Sequence, residues 1–168
     1  LVPVLANAGT TLLGGRIMDA RGEWPLLPAG FAAIAAGFVV MAALAPTLSL
    51  PAAFVAALLI MGGTGFIFSP SQTAGLRTLP PEMNPFGVAI STTFVQIAAC
   101  IGPSLYTGIM STAQTGALAA GVDAALATAQ GFSIAMVVAA CIAAAGCALA
   151  LVYSRAAVKR DAKRARSM

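Results

Sequence analysis

The sequence predicts an all-α integral membrane protein, and three observations carry that prediction. Of 168 residues, 60% are hydrophobic and only 8% are charged, with a mean hydropathy of +0.94. Soluble domains carry roughly a quarter charged residues, so this chain lacks the polar surface that water requires. The apolar residues also fall in runs suited to a bilayer core, which takes about 20 helical residues for roughly 30 Å. Finally, the charged residues lie between those runs or in a C-terminal tail.

Five apolar segments can be placed. The first covers residues 1 to about 14 and is too short to cross a bilayer. It has no initiator Met and no basic stretch before it, so it does not read as a signal peptide. It reads instead as a helix truncated at residue 1, which makes the chain the tail end of a longer protein. The other segments run over about 25–44, 51–76, 85–111 and 132–153. Together, residues 1–153 are expected to form the transmembrane helical bundle, with 154–168 as a basic cytoplasmic tail. Pro25, Pro51 and Pro85 open three of these segments, at positions where a missing N–H costs nothing. Residues 112–130, rich in Ala, Gly and Thr, read as a long connection with room for a short helix.

Charge placement sets the orientation. Arg16 and Arg21 follow the first segment, Arg77 borders the third, and the other six basic residues lie between Arg155 and Arg166. With five helices these three places share one side, and the opposite connections carry no Lys or Arg. That side is cytoplasmic by the positive-inside rule, with Trp24 and Tyr153 as interface anchors. An Arg or Lys at mid-membrane costs about 2.5–3.5 kcal/mol, which confines the island "GGRIMDARGEW" to the space between helices.

Several function classes drop out. The net charge of +4 comes from scattered connections and a tail, without the basic face or aromatic interleaving of a nucleic-acid binder. There is no histidine, and Cys100, Cys141 and Cys147 lie inside apolar runs without metal-ligand spacing. No metal and no cofactor is expected. Acids occur singly, with no nucleophile–base pair, so the chain does not read as an enzyme. All five acids, Asp19, Glu23, Glu82, Asp123 and Asp161, fall outside the segment interiors. Any proton carrier would have to lie upstream.

Polar residues at membrane depth are the positive signal, because lipid offers them no partner. The second segment has none and the fifth has only Ser133. The first has Asn7, Thr10 and Thr11, the third Thr64, Ser69, Ser71 and Gln72, and the fourth Ser91, Thr92, Thr93, Gln96, Ser104 and Tyr106. Segments one, three and four therefore read as inward-facing, and two and five as lipid-facing supports. On the fourth, Thr92, Gln96, Ala99, Pro103, Tyr106 and Met110 follow steps of three and four and share a face. A mid-membrane amide such as Gln96 needs a ligand, water or another helix as partner, and both a substrate contact and an interhelical tie fit. Gly102 and Pro103 permit a helix bend. Gly62, Gly63 and Gly65 in "MGGTG" permit close helix approach. Asn7, Thr11, Thr64, Phe68, Thr92, Gln96 and Tyr106 are the candidate substrate path.

Gly15-Arg16-Ile17-Met18-Asp19-Ala20-Arg21-Gly22 resembles the loop signature of the major facilitator superfamily, G-x-x-x-D-R-x-G-R-[KR], in its degenerate second-half copy. Gly15, Asp19 and Gly22 match, whereas Ala20, Glu23 and Trp24 depart from the usual basic positions. "SPSQTAGLRTLPPEMNPFGVAISTTFVQIAACIG" resembles a stretch near the end of fourteen-helix drug:proton antiporters of the EmrB/QacA type, especially their lincomycin-resistance branch. The resemblance implies the last five helices of such a carrier, with helices one, three and four lining a central cavity and alternating access around a mid-membrane site. It also implies a cytoplasmic gate loop of Gly15, Arg16, Asp19, Arg21 and Gly22. The implied partners are the lipid bilayer, a small amphiphilic or cationic substrate, and protons handled by the upstream half. A metabolite or sugar carrier of the same superfamily and a non-transporting membrane scaffold are the alternatives.

Overall fold

The computed structural model describes residues 2–21, 26–47, 50–77 and 79–165, without the side chains of 19–21 and 156–165. Within them run five helices: α1 (Val2–Arg21), α2 (Leu26–Leu44), α3 (Leu50–Arg77), α4 (Asn84–Ala119) and α5 (Ala124–Ala165). Single 3-10 turns at Ala45–Thr47 and Pro81–Met83 sit between α2 and α3 and between α3 and α4. Four helical stretches, Leu26–Thr47, Leu50–Arg77, Pro81–Ala119 and Ala124–Arg155, are long and apolar enough to cross a membrane. The fold is that of an all-α membrane protein.

Two connections are shorter than the sequence suggests. The charged island begins as helix, because α1 continues through Gly15 and Arg16 to Arg21. Arg, Met and Ala are good helix formers, and one interior Gly costs only about 1 kcal/mol. The segment 112–130 is also mostly helical: α4 runs on to Ala119 and α5 starts at Ala124. Its alanines favour that state, and the turn between the helices is sharply built. Gly121 takes φ +81°, the left-handed conformation that suits glycine at a helix end. Val122 N–H then donates to Ala117 O (3.1 Å) and Gly121 N–H to Leu118 O (3.0 Å). Asp123 caps α5, its carboxylate accepting from Ala125 N–H at 3.1 Å.

The helices pack in a row. α2 lies between α3 and α5, α1 packs on α3, and α4 packs on α5, meeting α3 only weakly. Small residues make these contacts. In lipid, helices gain little from burying apolar surface, so close backbone approach and van der Waals contact hold them together. Gly63 of α3 faces α2, where an added Cβ would lie 2.7 Å from Gly30 O and 2.7 Å from Ile34 Cγ1. Gly65 faces α1, where an added Cβ would collide with Thr10 Oγ1 and come 2.8 Å from Asn7 O. The glycine motif therefore serves packing on both sides of α3. Along α5, Ala127, Gly131, Ala135, Ala139 and Ala143 are buried at steps of four.

This contact geometry sets a prediction. Gly63→Ala must push backbone against backbone and should destabilise by about 1–3 kcal/mol. Gly62→Ala should be nearly neutral, since its Cβ would meet only Thr10 Cγ2, at 3.7 Å. Thermal unfolding of the purified full-length protein in detergent compares the two, and equal losses would contradict the assignment of faces.

Candidate functional site

Polar chemistry gathers at two places that do not touch. The first lies between α1 and α3. Asn7 Nδ2 donates to Met61 O and to Thr64 Oγ1, both at 2.8 Å. Thr64 Oγ1 in turn donates to Met61 O at 2.8 Å. Thr11 Oγ1 donates to Asn7 O at 2.8 Å, and Thr10 Oγ1 to Ala6 O at 2.9 Å. Both amide protons of Asn7 are thus used within the protein. Gly65 makes the arrangement possible by letting the α1 backbone close on α3. Phe68 follows Thr64 by one helical turn and is exposed, so it extends the same edge of α3.

The second place is α4, where none of 36 residues is buried. Most of its threonines and Ser104 bond back onto their own helix, whereas Ser91, Tyr106, Thr107 and Ser111 have no hydrogen-bond partner among the described residues. Thr92 donates to Val88 O at 2.9 Å, Thr93 to Ala89 O at 2.9 Å, and Ser104 to Cys100 O at 3.2 Å. Gln96 differs. Its amide is exposed, and no described group is hydrogen-bonded to it. Its two donors and its acceptor are thus left for a partner outside the described residues. Tyr106 is half-buried on the same face. α4 passes helically through Gly102 and Pro103, and Pro103, lacking an N–H, leaves Ala99 O without its usual donor.

The path residues expected from sequence therefore fall into two sets. Asn7, Thr11 and Thr64 are brought together with Phe68 beside them, and Thr92, Gln96 and Tyr106 line α4. Among the described residues α1 and α4 make no contact. For the charged island, Gly15 is half-buried and Arg16 exposed, both more than one turn before the C-terminal end of α1. Asp19 and Arg21 lie on α1, their side chains outside the described ones. Gly22 falls outside the described residues, as does Trp24.

Other polar features are not evident from the sequence. Gln114 Nε2 donates to Thr128 Oγ1 at 2.8 Å and ties α4 to α5. Both residues lie in the stretch whose composition reads as a connection, which hides their helical placement. Ser133 Oγ donates to Ala42 O at 3.0 Å, linking α5 to α2. Pro70 interrupts α3 and is fully buried. Between α2, α3 and α5, beside the α2–α3 turn, lies an apolar cavity of about 190 Å³, lined by Val40, Met41, Leu44, Leu50 and Phe132 among others. It carries few polar groups to orient a ligand. Among the described residues no three His, Cys, Asp or Glu come together as a metal site would need.

The family model described as Major Facilitator Superfamily matches residues 1–103, a span that holds α1, α2, α3 and the Gln96 half of α4. The chain belongs to the Major Facilitator Superfamily. Lincomycin resistance protein LmrB of Listeria monocytogenes is 32% identical over 100 residues, covering 60% of this chain and 21% of that protein. Uncharacterized MFS-type transporter YcnB of Bacillus subtilis is 32% identical over 141 residues, covering 84% and 29% respectively. Lincomycin resistance protein LmrB of Bacillus subtilis is 42% identical over 55 residues, covering 33% of this chain and 12% of that protein. The chain thus spans less than a third of the length of these relatives. No solved structure matches it. Family and apolar helices together make this a multi-pass membrane protein of a transporter superfamily.

The α1–α3 cluster yields a test of its own. Asn7→Leu keeps size but removes both donors, and should lower stability by about 0.6–2 kcal/mol. In a double-mutant cycle, Thr64→Val should add little once Asn7 is replaced. Unfolding of the four proteins in detergent checks this, and strictly additive losses would mean the two side chains act independently.

Proposed function

We propose that this chain is the C-terminal part of a secondary active transporter that exports amphiphilic or cationic small molecules against protons by alternating access. The observation that carries the proposal is Gln96. An exposed, unpartnered amide midway along an apolar helix is unfavourable in lipid and suits a helix that borders a water-filled substrate path. Thr92 and Tyr106 share its face, and Phe68 with the Asn7–Thr64 pair would form a separate wall on α1 and α3. The names of two relatives, both lincomycin resistance proteins, support drugs as the substrate class. Proton coupling would reside upstream, since this chain places no acid or histidine in the interior of an apolar helix. Asp19, with Gly15, Arg16, Arg21 and Gly22, would form a cytoplasmic gate beside the end of α1, and Gly102–Pro103 the bend in α4. The proposed location is the plasma membrane with a cytoplasmic C-terminus.

Gln96→Leu in the full-length carrier tests the substrate path. If the amide faces substrate, the variant should reach normal protein levels and shift substrate preference, with apolar drugs affected least. Efflux of several chemically distinct drugs, normalised to protein level, is the measurement. A uniform loss that follows protein level would make Gln96 a tie between helices.

Topology is tested separately. In a cysteine-free background, Thr47→Cys should react with an impermeant reagent in intact cells and Ser167→Cys should not. Labelling of Ser167→Cys from outside would reverse the orientation.

A further inference from the structure

Helix α5 is longer than a membrane needs. Its apolar stretch ends at Arg155, yet the helix continues without a break to Ala165. No Gly or Pro occurs between Ala148 and Ala165 to let it pivot. The helix is also held where it emerges: Ala150 and Ser154 are buried, and Ser154 Oγ donates to Leu151 O at 2.8 Å. Tyr153, at the same level, is exposed, as suits an aromatic residue at the membrane–water boundary. Beyond this level lies the most basic part of the chain. Arg155, Lys159, Arg160, Lys163 and Arg164 lie on the helix, against Asp161 alone.

Their spacing places them together. Arg155, Lys159 and Lys163 are four apart and follow one face of the helix, with Arg160 and Arg164 on the adjoining strip. At 3.6 residues per turn the five positions fall within about half the circumference. Ala157, Val158, Asp161, Ala162 and Ala165 occupy the other half. The ten residues beyond the apolar stretch rise only about 15 Å. The register thus places Arg155, Lys159 and Arg160 within the Debye length of about 8–10 Å over which the potential of anionic lipid acts, with Lys163 and Arg164 about one turn further out. A nucleic-acid or protein partner would not need charge fixed so near the bilayer. Anionic lipid does.

We propose that the basic face of the α5 extension binds anionic phospholipid headgroups, recruiting them to the edge of the carrier. With the orientation proposed above, on which this assignment rests, those headgroups are in the cytoplasmic leaflet.

The full-length carrier, reconstituted in vesicles of phosphatidylcholine and phosphatidylglycerol, tests this with trace photoactivatable analogues of each lipid bearing the reactive group in the headgroup. Crosslinks to the peptide around residues 154–165 are quantified by mass spectrometry. Phosphatidylglycerol should exceed phosphatidylcholine there by roughly fivefold. The ratio should fall to about one when Lys159→Gln, Arg160→Gln, Lys163→Gln and Arg164→Gln are combined, and persist in Arg160→Lys with Arg164→Lys. A ratio near one in the unaltered carrier, or an unchanged ratio in the Gln variant, overturns the proposal. Labelling of Ser167→Cys from outside would overturn only the leaflet, because the crosslinking ratio does not depend on orientation.

Discussion

The contact on which the bundle depends is the double crossing of α3, with Gly63 against α2 and Gly65 against α1. Two residues apart, these glycines are about 200° apart around the helix axis. One helix therefore receives a neighbour on each of two opposite sides. Lipid supplies no hydrophobic drive to bring helices together, so the energy must come from surfaces that fit closely. Backbone-to-backbone approach provides the largest contact per residue, and only glycine allows it at both crossings. Gly30 answers Gly63 from α2, so neither side of that crossing has room to spare. The seam then continues from α2 into α5, where Gly146 meets the Phe31 ring and alanines recur every fourth residue.

The polar cluster is a consequence of this geometry. Because Gly65 lets α1 close on α3, Asn7 reaches both Thr64 and the Met61 carbonyl. An amide in that position satisfies its donors at no cost to the helix, and it fixes the register of α1 as well as its distance. α4 lacks such a crossing. Several of its hydroxyls turn back onto carbonyls four residues earlier, while Gln96, Ser91, Tyr106, Thr107 and Ser111 have no hydrogen-bond partner among the described residues. Polarity at depth groups the two sets as one path; in the fold Asn7 is bonded to α3, and among the described residues α1 and α4 make no contact.

Much of this is legible in the residues, and the gaps have physical causes. Composition decides the class, because 8% charge cannot cover a water-soluble surface. The role of "MGGTG" as a close-approach motif is legible too, since small residues serve little else in lipid. Which glycine faces which helix is not, for that depends on the rotation of α3 against two neighbours. Asn7 stands out as polar at depth, but polarity alone does not show which groups it bonds; the Met61 and Thr64 partners follow from how α1 packs on α3. The charged island and the stretch 112–130 read as connections because charge and Gly/Thr content suggest them. Helix continues through the island as far as Arg21, and within 112–130 the chain turns where Gly121 and Asp123 supply the specific end chemistry.

That turn has a bearing on the site at the far end of α4. With no buried residue of its own, α4 takes its orientation from α5. The link is built at the hairpin: Gly121 closes one helix, Asp123 opens the next, and Gln114 bonds Thr128 across them. Gly131 completes it, since an added Cβ there would lie 2.6 Å from Met110 O. These contacts act within the last third of α4 and fix its rotation about its own axis. Because Met110 shares the helix face of Tyr106 and Gln96 by steps of three and four, rotation set at Met110 is carried along the helix to Gln96. Pro103 lies between them and weakens the hydrogen-bond ladder at one point. The orientation of the amide is therefore held from the hairpin through a helix that can flex once on the way, at Pro103.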